Sequence, residues 1–185
     1  TGIPELGHRV QINNGKIYSN FLLESIAAID NGIAIYSSSS YGYSLSDYIN
    51  IPTASFGSPG YQPGFYVQEF SVDDNYLITP IEAINQHYGG ILLIYKSSSA
   101  SGWQLETVLN SGSYDNAAPI PDGGTTFKNH NYYNCVIKGN LIFTNGFRNG
   151  TSDKYVAFFR SGSSGWQFED QVQGAGLTTG ESGNT

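Results

Sequence analysis

Methionine is absent from the chain, cysteine occurs once among 185 residues, and only 12% of the residues are charged. The single cysteine, Cys135, excludes an intramolecular disulfide and a metal site built from several thiolates. Fifteen aspartates and glutamates outnumber 8 lysines and arginines, and the net charge of −7 argues against a nucleic-acid-binding protein, which needs a basic face. No run of about 18 apolar residues occurs, so no membrane-spanning helix is predicted. Few lysines, with abundant Ser, Gly, Asn and Tyr, favour a surface exposed outside the cell.

Sequence motifs of catalysis are missing as well. The three histidines, His8, His87 and His130, have neither the HxxxH nor the HxH spacing of a zinc site. No Gly-x-Ser-x-Gly nucleophile motif occurs. We therefore predict that the protein is not an enzyme, and we interpret Cys135 as a small buried residue rather than a nucleophile. A carbohydrate-active hydrolase that uses loop carboxylates stays open as the alternative, although the spacing selects no carboxylate pair.

The residues that are abundant predict an all-β fold. Short stretches of aromatic and β-branched residues alternate with Gly, Ser, Asn and Pro, and long helical periodicity is absent. One segment departs from this pattern, because Thr79-Pro80-Ile81-Glu82 has the order of a helix-capping box with proline at the first helical position. It predicts at most a short helix in a loop, which ends before Gly89-Gly90.

An internal repeat is the most informative feature of the sequence. Ser101-Gly102-Trp103-Gln104-Leu105-Glu106 recurs as Ser164-Gly165-Trp166-Gln167-Phe168-Glu169. Each copy follows an aromatic and aliphatic strand, at 90–97 and at 154–161. Further upstream the segment 72–78 matches 136–142, and a third, weaker copy of this segment lies at 28–34. Each unit is predicted to contain four strands, joined in order by a tight turn, a variable loop and a Ser/Gly turn.

Each part of this unit has a physical reason. The predicted turns Asp30-Asn31-Gly32, Asp74-Asn75 and Gly139-Asn140 contain residues that tolerate positive φ, as two-residue hairpin turns require. The strand 91–95 is apolar throughout, which is typical of a strand that is covered on both faces. Each tryptophan follows a turn, where it could fill the gap between neighbouring sheets while its indole N–H reaches a carbonyl.

The unit resembles the FG-GAP type of β-propeller repeat, which occurs in integrin α-subunit heads and in bacterial and viral surface proteins. Gly64-Phe65-Tyr66-Val67, the hairpin that follows it, the strand from Gly89 to Ser97, and Trp103 stand in the order of that family. The resemblance implies a small propeller-like arrangement of about three antiparallel sheets. The family's Asp-x-Asp-x-Asp-Gly calcium loop is missing, and Ile78-Thr79-Pro80 replaces its Gly-Ala-Pro step.

The repeat divides the chain into one propeller-like recognition domain, residues 1–174, and a flexible tail, residues 175–185. We expect the segment His8-Arg9-Val10-Gln11-Ile12 to close the arrangement by pairing with the last sheet. The repeat units are expected at about 17–60, 64–110 and 127–173.

Turn and loop carboxylates are candidate ligands for calcium, which prefers carboxylate and carbonyl oxygens. The candidate metal ligands are Asp73, Asp74, Asp115 and Asp122. Aspartate is also a preferred turn residue in the absence of any metal, so both interpretations stay open. Calcium is the one cofactor that we expect.

Aromatic residues in or beside the predicted connections are the leading candidates for ligand binding. Tyrosine offers a flat apolar face and a polar tip at little entropic cost, which suits contact with sugars or proteins. The candidate ligand-binding residues are Tyr41, Tyr43, Tyr61, Tyr88, Tyr114, Asn131 and Tyr132. The alternative is that these side chains only cover the edges of the sheets.

These features predict a receptor-binding or attachment domain, a viral spike or adhesin, displayed outside the cell or on a virion. It would bind glycan or envelope material of a host cell through loops that rigid sheets present. Composition and repeat type are similar to those of the receptor-binding spike of a membrane-containing marine bacteriophage. The expected partners are the host receptor or glycan and the other subunits of a larger or oligomeric assembly. A structural segment of a larger propeller is the remaining alternative.

Overall fold

Every element in the described part of the chain is a β-strand, which confirms the all-β prediction. The computed structural model describes residues 5–24, 29–51, 65–66, 69–83, 91–110, 118–119, 130–148 and 154–173. Within them no helix is long and apolar enough to cross a membrane. The strands form three sheets, each with four antiparallel strands at its centre, arranged like the blades of a small propeller.

Each sheet is built around four strands that follow one another along the chain. Sheet 1 contains β1 (Glu5–Asn13), β2 (Lys16–Glu24), β3 (Ile29–Ser39) and β4 (Gly42–Asn50). Sheet 2 contains β5 (Phe65–Tyr66), β6 (Ser71–Val72), β7 (Tyr76–Ala83), β8 (Ile91–Ser98), β9 (Gly102–Asn110) and β10 (Ala118–Pro119), where β5 and β6 both pair with β7 and β10 lies parallel to β9. Sheet 3 contains β11 (His130–Lys138), β12 (Leu141–Arg148), β13 (Lys154–Gly162) and β14 (Gly165–Gln173).

The three sheets repeat one another in hydrogen-bond register as well as in strand order. The third and fourth strands of each sheet pair with a bulge at the same place, after Ile35, Ile94 and Phe158 respectively. Trp103 and Trp166 occupy the second position of the fourth strand in sheets 2 and 3. The two tryptophan segments are therefore copies of one structural module.

Sheet 1 carries Tyr43 in the position of these tryptophans. The glycines that precede the three aromatic residues are Gly42, Gly102 and Gly165, with φ angles of 105°, 66° and 84°. Glycine adopts this left-handed conformation at little cost, so the Gly-aromatic pair marks the start of each fourth strand. The sequence pattern predicts this strand in two units, but in the first unit tyrosine replaces the diagnostic tryptophan.

Each sheet has a forward face, directed towards the next sheet along the chain, and a rear face, directed towards the preceding one. The forward face of sheet 1 and the rear face of sheet 2 enclose one core, formed by Tyr18, Ile33, Ile35, Ile49, Ile51, Phe70, Leu77, Leu93 and Tyr95. The forward face of sheet 2 and the rear face of sheet 3 enclose a second, formed by Ile78, Leu92, Ile94, Leu109, Cys135, Ile137, Ile142, Ala157, Phe159 and Trp166.

Sheet 2 is thus the middle layer and is covered on both faces. Leu92, Leu93 and Ile94 follow one another along β8 and are fully buried. Because successive residues of a strand point to opposite faces, such a run has to pack against two neighbours at once. The prediction for the apolar strand 91–95 is confirmed.

The expected start of the first unit, residue 17, is wrong, whereas its expected end at residue 60 lies outside the described residues. The segment 8–12 belongs to β1 and pairs with β2 inside sheet 1, not with the last sheet. The first hairpin of this sheet turns at Asn14-Gly15, whose φ angles of 48° and 71° suit a two-residue turn. Sheets 2 and 3 fall within the limits expected for the second and third units, apart from β10, and residues 175–185 lie outside the described residues.

The predicted turn Asp30-Asn31-Gly32 is also wrong, because these residues lie inside β3 and pair with β2. Gly32 is needed there for space rather than for a turn. A Cβ atom at this position would overlap the carbonyl oxygen of Ile49 and would lie 2.7 Å from the ring of Phe21. The ring of Phe21 covers the glycine opposite it, a cross-strand contact that short turn motifs do not predict.

The short helix predicted after Thr79 is not formed, since Pro80 lies in β7 and pairs with Leu92 of β8. On its other side β7 pairs first with β6, at Ile78, and then with β5, at Glu82. Pro80 falls between these two partners, where its missing N–H costs no ladder hydrogen bond. The capping-box pattern is thus overridden by sheet pairing.

Candidate functional site

The tip of the β3–β4 hairpin presents the most exposed large apolar side chain of the described residues. Tyr41 is 99% exposed. The turn below it is held by Ser39, whose hydroxyl donates to the carbonyl oxygen of Gly42 (2.9 Å) and accepts from the Tyr41 N–H (3.3 Å). An aromatic ring therefore stands in solvent on a hydrogen-bonded turn.

Further exposed apolar side chains follow along β4. Tyr43, Leu45 and Tyr48 are each more than half exposed. A bulge opposite the Ile35–Tyr36 step displaces the strand by one residue, so Tyr43, Leu45 and Tyr48 all fall on the rear face of sheet 1. Sequence reasoning missed Tyr48, because the bulge breaks the alternation between Leu45 and Tyr48. It missed Leu45 because an apolar residue in a strand is normally interpreted as core.

The structure brings together two of the seven predicted ligand-binding residues, Tyr41 and Tyr43. Asn131 and Tyr132 lie in β11 of sheet 3 rather than in a loop. The other three, Tyr61, Tyr88 and Tyr114, lie outside the described residues. A ligand-binding role stays a prediction for each of them.

Asp73, one of the predicted metal ligands, binds backbone N–H groups with both carboxylate oxygens. Its Oδ1 accepts from Asn75 (3.0 Å) and Tyr76 (2.9 Å), and its Oδ2 accepts from Gly139 in sheet 3 (2.7 Å). Asp74 accepts from the side-chain amide of Asn14 in sheet 1 (2.9 Å). These two carboxylates thus join the first hairpin turns of all three sheets.

Three N–H groups aimed at Asp73 do not suit a calcium ligand, because a cation would have to displace these donors from the oxygens. Across the described residues no group of three or more His, Cys, Asp or Glu side chains is placed to hold a metal ion. Asp115 and Asp122 lie outside the described residues. Calcium binding therefore stays a prediction.

Side chains of the innermost strands bind the backbone of the next sheet. The amide of Gln11 in β1 donates to the carbonyl oxygen of Phe70 (2.7 Å) and accepts from the N–H of Val72 (3.0 Å). In the same way, the hydroxyl of Ser71 accepts from the N–H of Ile137 (3.1 Å). Each contact provides a hydrogen-bond partner for a backbone group that lies between two sheets and would otherwise be unpaired.

Trp166 fills the gap between sheets 2 and 3, as predicted, but its indole N–H does not reach a carbonyl. Nε1 donates to the carboxylate Oε2 of Glu106 (3.1 Å), and the ring meets that of Tyr76 edge-on, with centroids 5.2 Å apart. Glu106 is also paired with Lys96 (3.4 Å). Trp103 packs in the corresponding gap edge-on against Tyr18, with a centroid distance of 6.2 Å.

Cys135 is buried in the second core, in agreement with the sequence prediction, and burial raises the pKa of its thiol. Its Sγ donates to the carbonyl oxygen of Ile78 (3.7 Å). The position equivalent to Ser71 is occupied by Val136 and not by Cys135, because Val136 pairs with Phe143 as Ser71 pairs with Ile78. Protonated and buried, the thiol is unsuited to nucleophilic chemistry.

Comparison with known proteins gives no family assignment for this architecture. No family model matches the chain, and neither the curated proteins nor the solved structures contain a match.

Proposed function

We propose that the protein is a surface-displayed receptor-binding domain that recognises glycan or other envelope material of a host cell. The observation that carries the proposal is the fully exposed ring of Tyr41 on an ordered hairpin. The exposed ring of Tyr41 does not stabilise the free protein, because it buries no apolar surface. It can contribute to ligand binding, because an aromatic side chain already held in position lowers the entropic cost of binding.

The chemistry of this hairpin suits sugar or protein ligands. Serines occupy positions 37–40, directly before Tyr41 in the sequence, and Ser37 and Ser46 share a hydrogen bond (2.9 Å) on the same pair of strands. A flat ring beside hydroxyl groups can stack on a pyranose or on a peptide while polar atoms supply direction. The acidic chain favours a neutral or basic receptor over a polyanion.

The test is binding of the purified protein to a glycan array and to whole cells, with wild type compared with Tyr41→Ala. We expect Tyr41→Ala to weaken binding by about ten-fold or more, the usual loss for an aromatic contact of this kind. The matched control is Ser99→Ala, in the exposed turn of the equivalent β8–β9 hairpin of sheet 2, where no turn residue is aromatic. Equal binding by all three proteins would contradict the proposal, and release of sugar during incubation would favour a hydrolase.

A further inference from the structure

The rear face of sheet 1 is as apolar as the faces that pack against a neighbouring sheet, but no sheet covers it among the described residues. We call the contact between two packed sheets a joint. In sheet 3 the row formed by Ile137, Ile142, Phe159 and Phe168 packs against sheet 2. The same row in sheet 1 is formed by Ile12, Ile17, Tyr36 and Leu45, which are aligned across the four strands. Ile137 is 4% exposed in its joint, whereas Ile12 is 73% exposed and Leu45 is 58% exposed.

The forward face of sheet 3 shows the complementary situation. Leu92 and Leu109 of sheet 2 are paired across β8 and β9 and are buried against sheet 3. The equivalent pair in sheet 3, Val156 and Val172, is 37% and 57% exposed. Apolar side chains of two strands therefore face solvent at the positions that form a core in the other two sheets.

Sheet 3 also carries, on its forward face, the equivalent of the charged pair that contacts a tryptophan on sheet 2, but here the described residues place no tryptophan beside it. Lys96 and Glu106, the pair beside Trp166, have Arg160 and Glu169 as their equivalents, and both glutamates are the bulged residues of their strands. Arg160 and Glu169 form an ion pair (2.9 Å). With the hairpin 162–165, Gln167 and Phe168, they line an open depression of about 310 Å³. Among the described residues no aromatic side chain of another sheet enters it, as Trp166 enters the gap beside Lys96 and Glu106.

The aromatic residue that would fill such a depression is present at the other end of the molecule. Tyr43 stands in the position of Trp103 and Trp166 and is more than half exposed on the rear face of sheet 1. Its hydroxyl could donate to Glu169 as the indole of Trp166 donates to Glu106. The two exposed faces thus match each other in the same way as the faces of each internal joint.

We propose that these faces form a joint between two copies of this chain, in which the rear face of sheet 1 of one copy packs on the forward face of sheet 3 of the other. Tyr43 of one copy enters the depression beside Arg160 and Glu169 of its partner. Two such contacts, related by a two-fold axis, close a ring of six sheets, within the range of roughly four to eight blades that propellers use. This inference is independent of receptor binding.

The test is the mass of the protein in solution, measured by light scattering on a size-exclusion column. We expect wild type to form a dimer of twice the 20.0 kDa chain mass. Leu45→Asp places a charge on the rear face and Val172→Asp places one on the forward face, so each variant alone should be a monomer. Both side chains are exposed within one copy, and circular dichroism and thermal melting check that each variant folds.

Mixing the two variants distinguishes this head-to-tail contact from any other dimer. Leu45→Asp keeps an intact forward face and Val172→Asp keeps an intact rear face, so an equimolar mixture should recover a dimer through the one remaining joint. Tyr41→Asp, at the exposed hairpin tip outside both faces, is the control and should dimerise like wild type. A monomeric wild type, or a mixture that stays monomeric, would overturn the proposal. The two exposed faces would then be candidates for binding sheets of another polypeptide.

Discussion

Tyr95 is the residue whose environment has the clearest consequence for stability. Its hydroxyl is buried in the core between sheets 1 and 2, with no hydrogen-bond partner in the part of the chain that the structure describes. Burial raises its pKa above the ordinary value of 10.0, because the phenolate would lose its hydration. Cys135 behaves in the same way in the other core, with a pKa raised above 9.0.

Both groups predict that the protein loses stability as the pH rises. The unfolded chain releases these protons near the ordinary pKa values, whereas the folded chain retains them, so folding is favoured less at each higher pH. Above pH 10 each group should lower the free energy of unfolding by about 1.4 kcal/mol per pH unit. Urea unfolding between pH 7 and pH 11, with pH values chosen on both sides of 10, measures this slope.

The substitution Tyr95→Phe separates the contribution of the phenol. It should leave the free energy of unfolding at pH 7 nearly unchanged or slightly higher, because the lost hydroxyl has no partner. Above pH 10 its slope should be shallower than that of wild type by about 1.4 kcal/mol per pH unit. Tyr41→Phe is the control, since that ring is exposed in the folded protein. Identical slopes for wild type and Tyr95→Phe would contradict the burial argument.

Within the elements, β3 depends on the absence of a side chain at Gly32. We expect Gly32→Ala to lower the free energy of unfolding by about 1–3 kcal/mol, the usual cost of overpacking, because its Cβ would overlap the Ile49 carbonyl oxygen and the Phe21 ring. Gly162→Ala is the matched control: that glycine has open space around it and no positive φ. Its effect should be neutral or slightly stabilising. Equal urea midpoints for the two variants would contradict this account.

The same elements indicate how far the sequence predicts the fold and where it stops. Trp103 and Trp166 identify two fourth strands, and the apolar strand 91–95 identifies the middle sheet, since each signal is local and rarely has another cause. The first unit was misplaced because Tyr43 replaces tryptophan and because Asp30-Asn31-Gly32 has the composition of a turn. Gly32 in fact leaves space for the ring of Phe21, and this depends on a residue from another strand.

The candidate site was predicted less completely than the fold, for a related reason. Tyr41 could be identified because it lies in a Ser/Gly-rich turn. The contacts of Gln11 and Glu106 across the joints could not, because they depend on which sheets are neighbours. Exposed Leu45 was missed since an apolar residue in a strand is normally interpreted as core.

At the scale of the whole molecule, the three stacked sheets should differ in local stability, with sheet 2, in the middle, the most stable. Sheet 2 contributes to both cores, and the side chains of Leu77, Ile78, Leu92, Leu93 and Ile94 are fully buried. Amides of β7 and β8 should therefore exchange with deuterium more slowly than those of β1 and β14, which lie at the ends of the stack. Local opening costs less where fewer apolar contacts are lost.

Hydrogen exchange measured by mass spectrometry checks this order peptide by peptide. Run on the Leu45→Asp variant, which we expect to be monomeric, the measurement reports the single copy; in wild type the proposed ring should add protection to β1, β4 and β14. Faster exchange in β8 than in β14 would contradict the central position of sheet 2.

The bulge that recurs in all three sheets affects the outermost strands in one more way. In the described residues β4 and β14 each hydrogen-bond along one side only, and such open edges invite strand addition by other molecules. The bulge bends each strand near its middle and places Ser46-Asp47 or Glu169-Asp170 at the bend. A kinked edge with an acidic side chain at the kink is a poor template for an incoming strand. The fold thereby carries its own protection against amyloid-like association when molecules are crowded together.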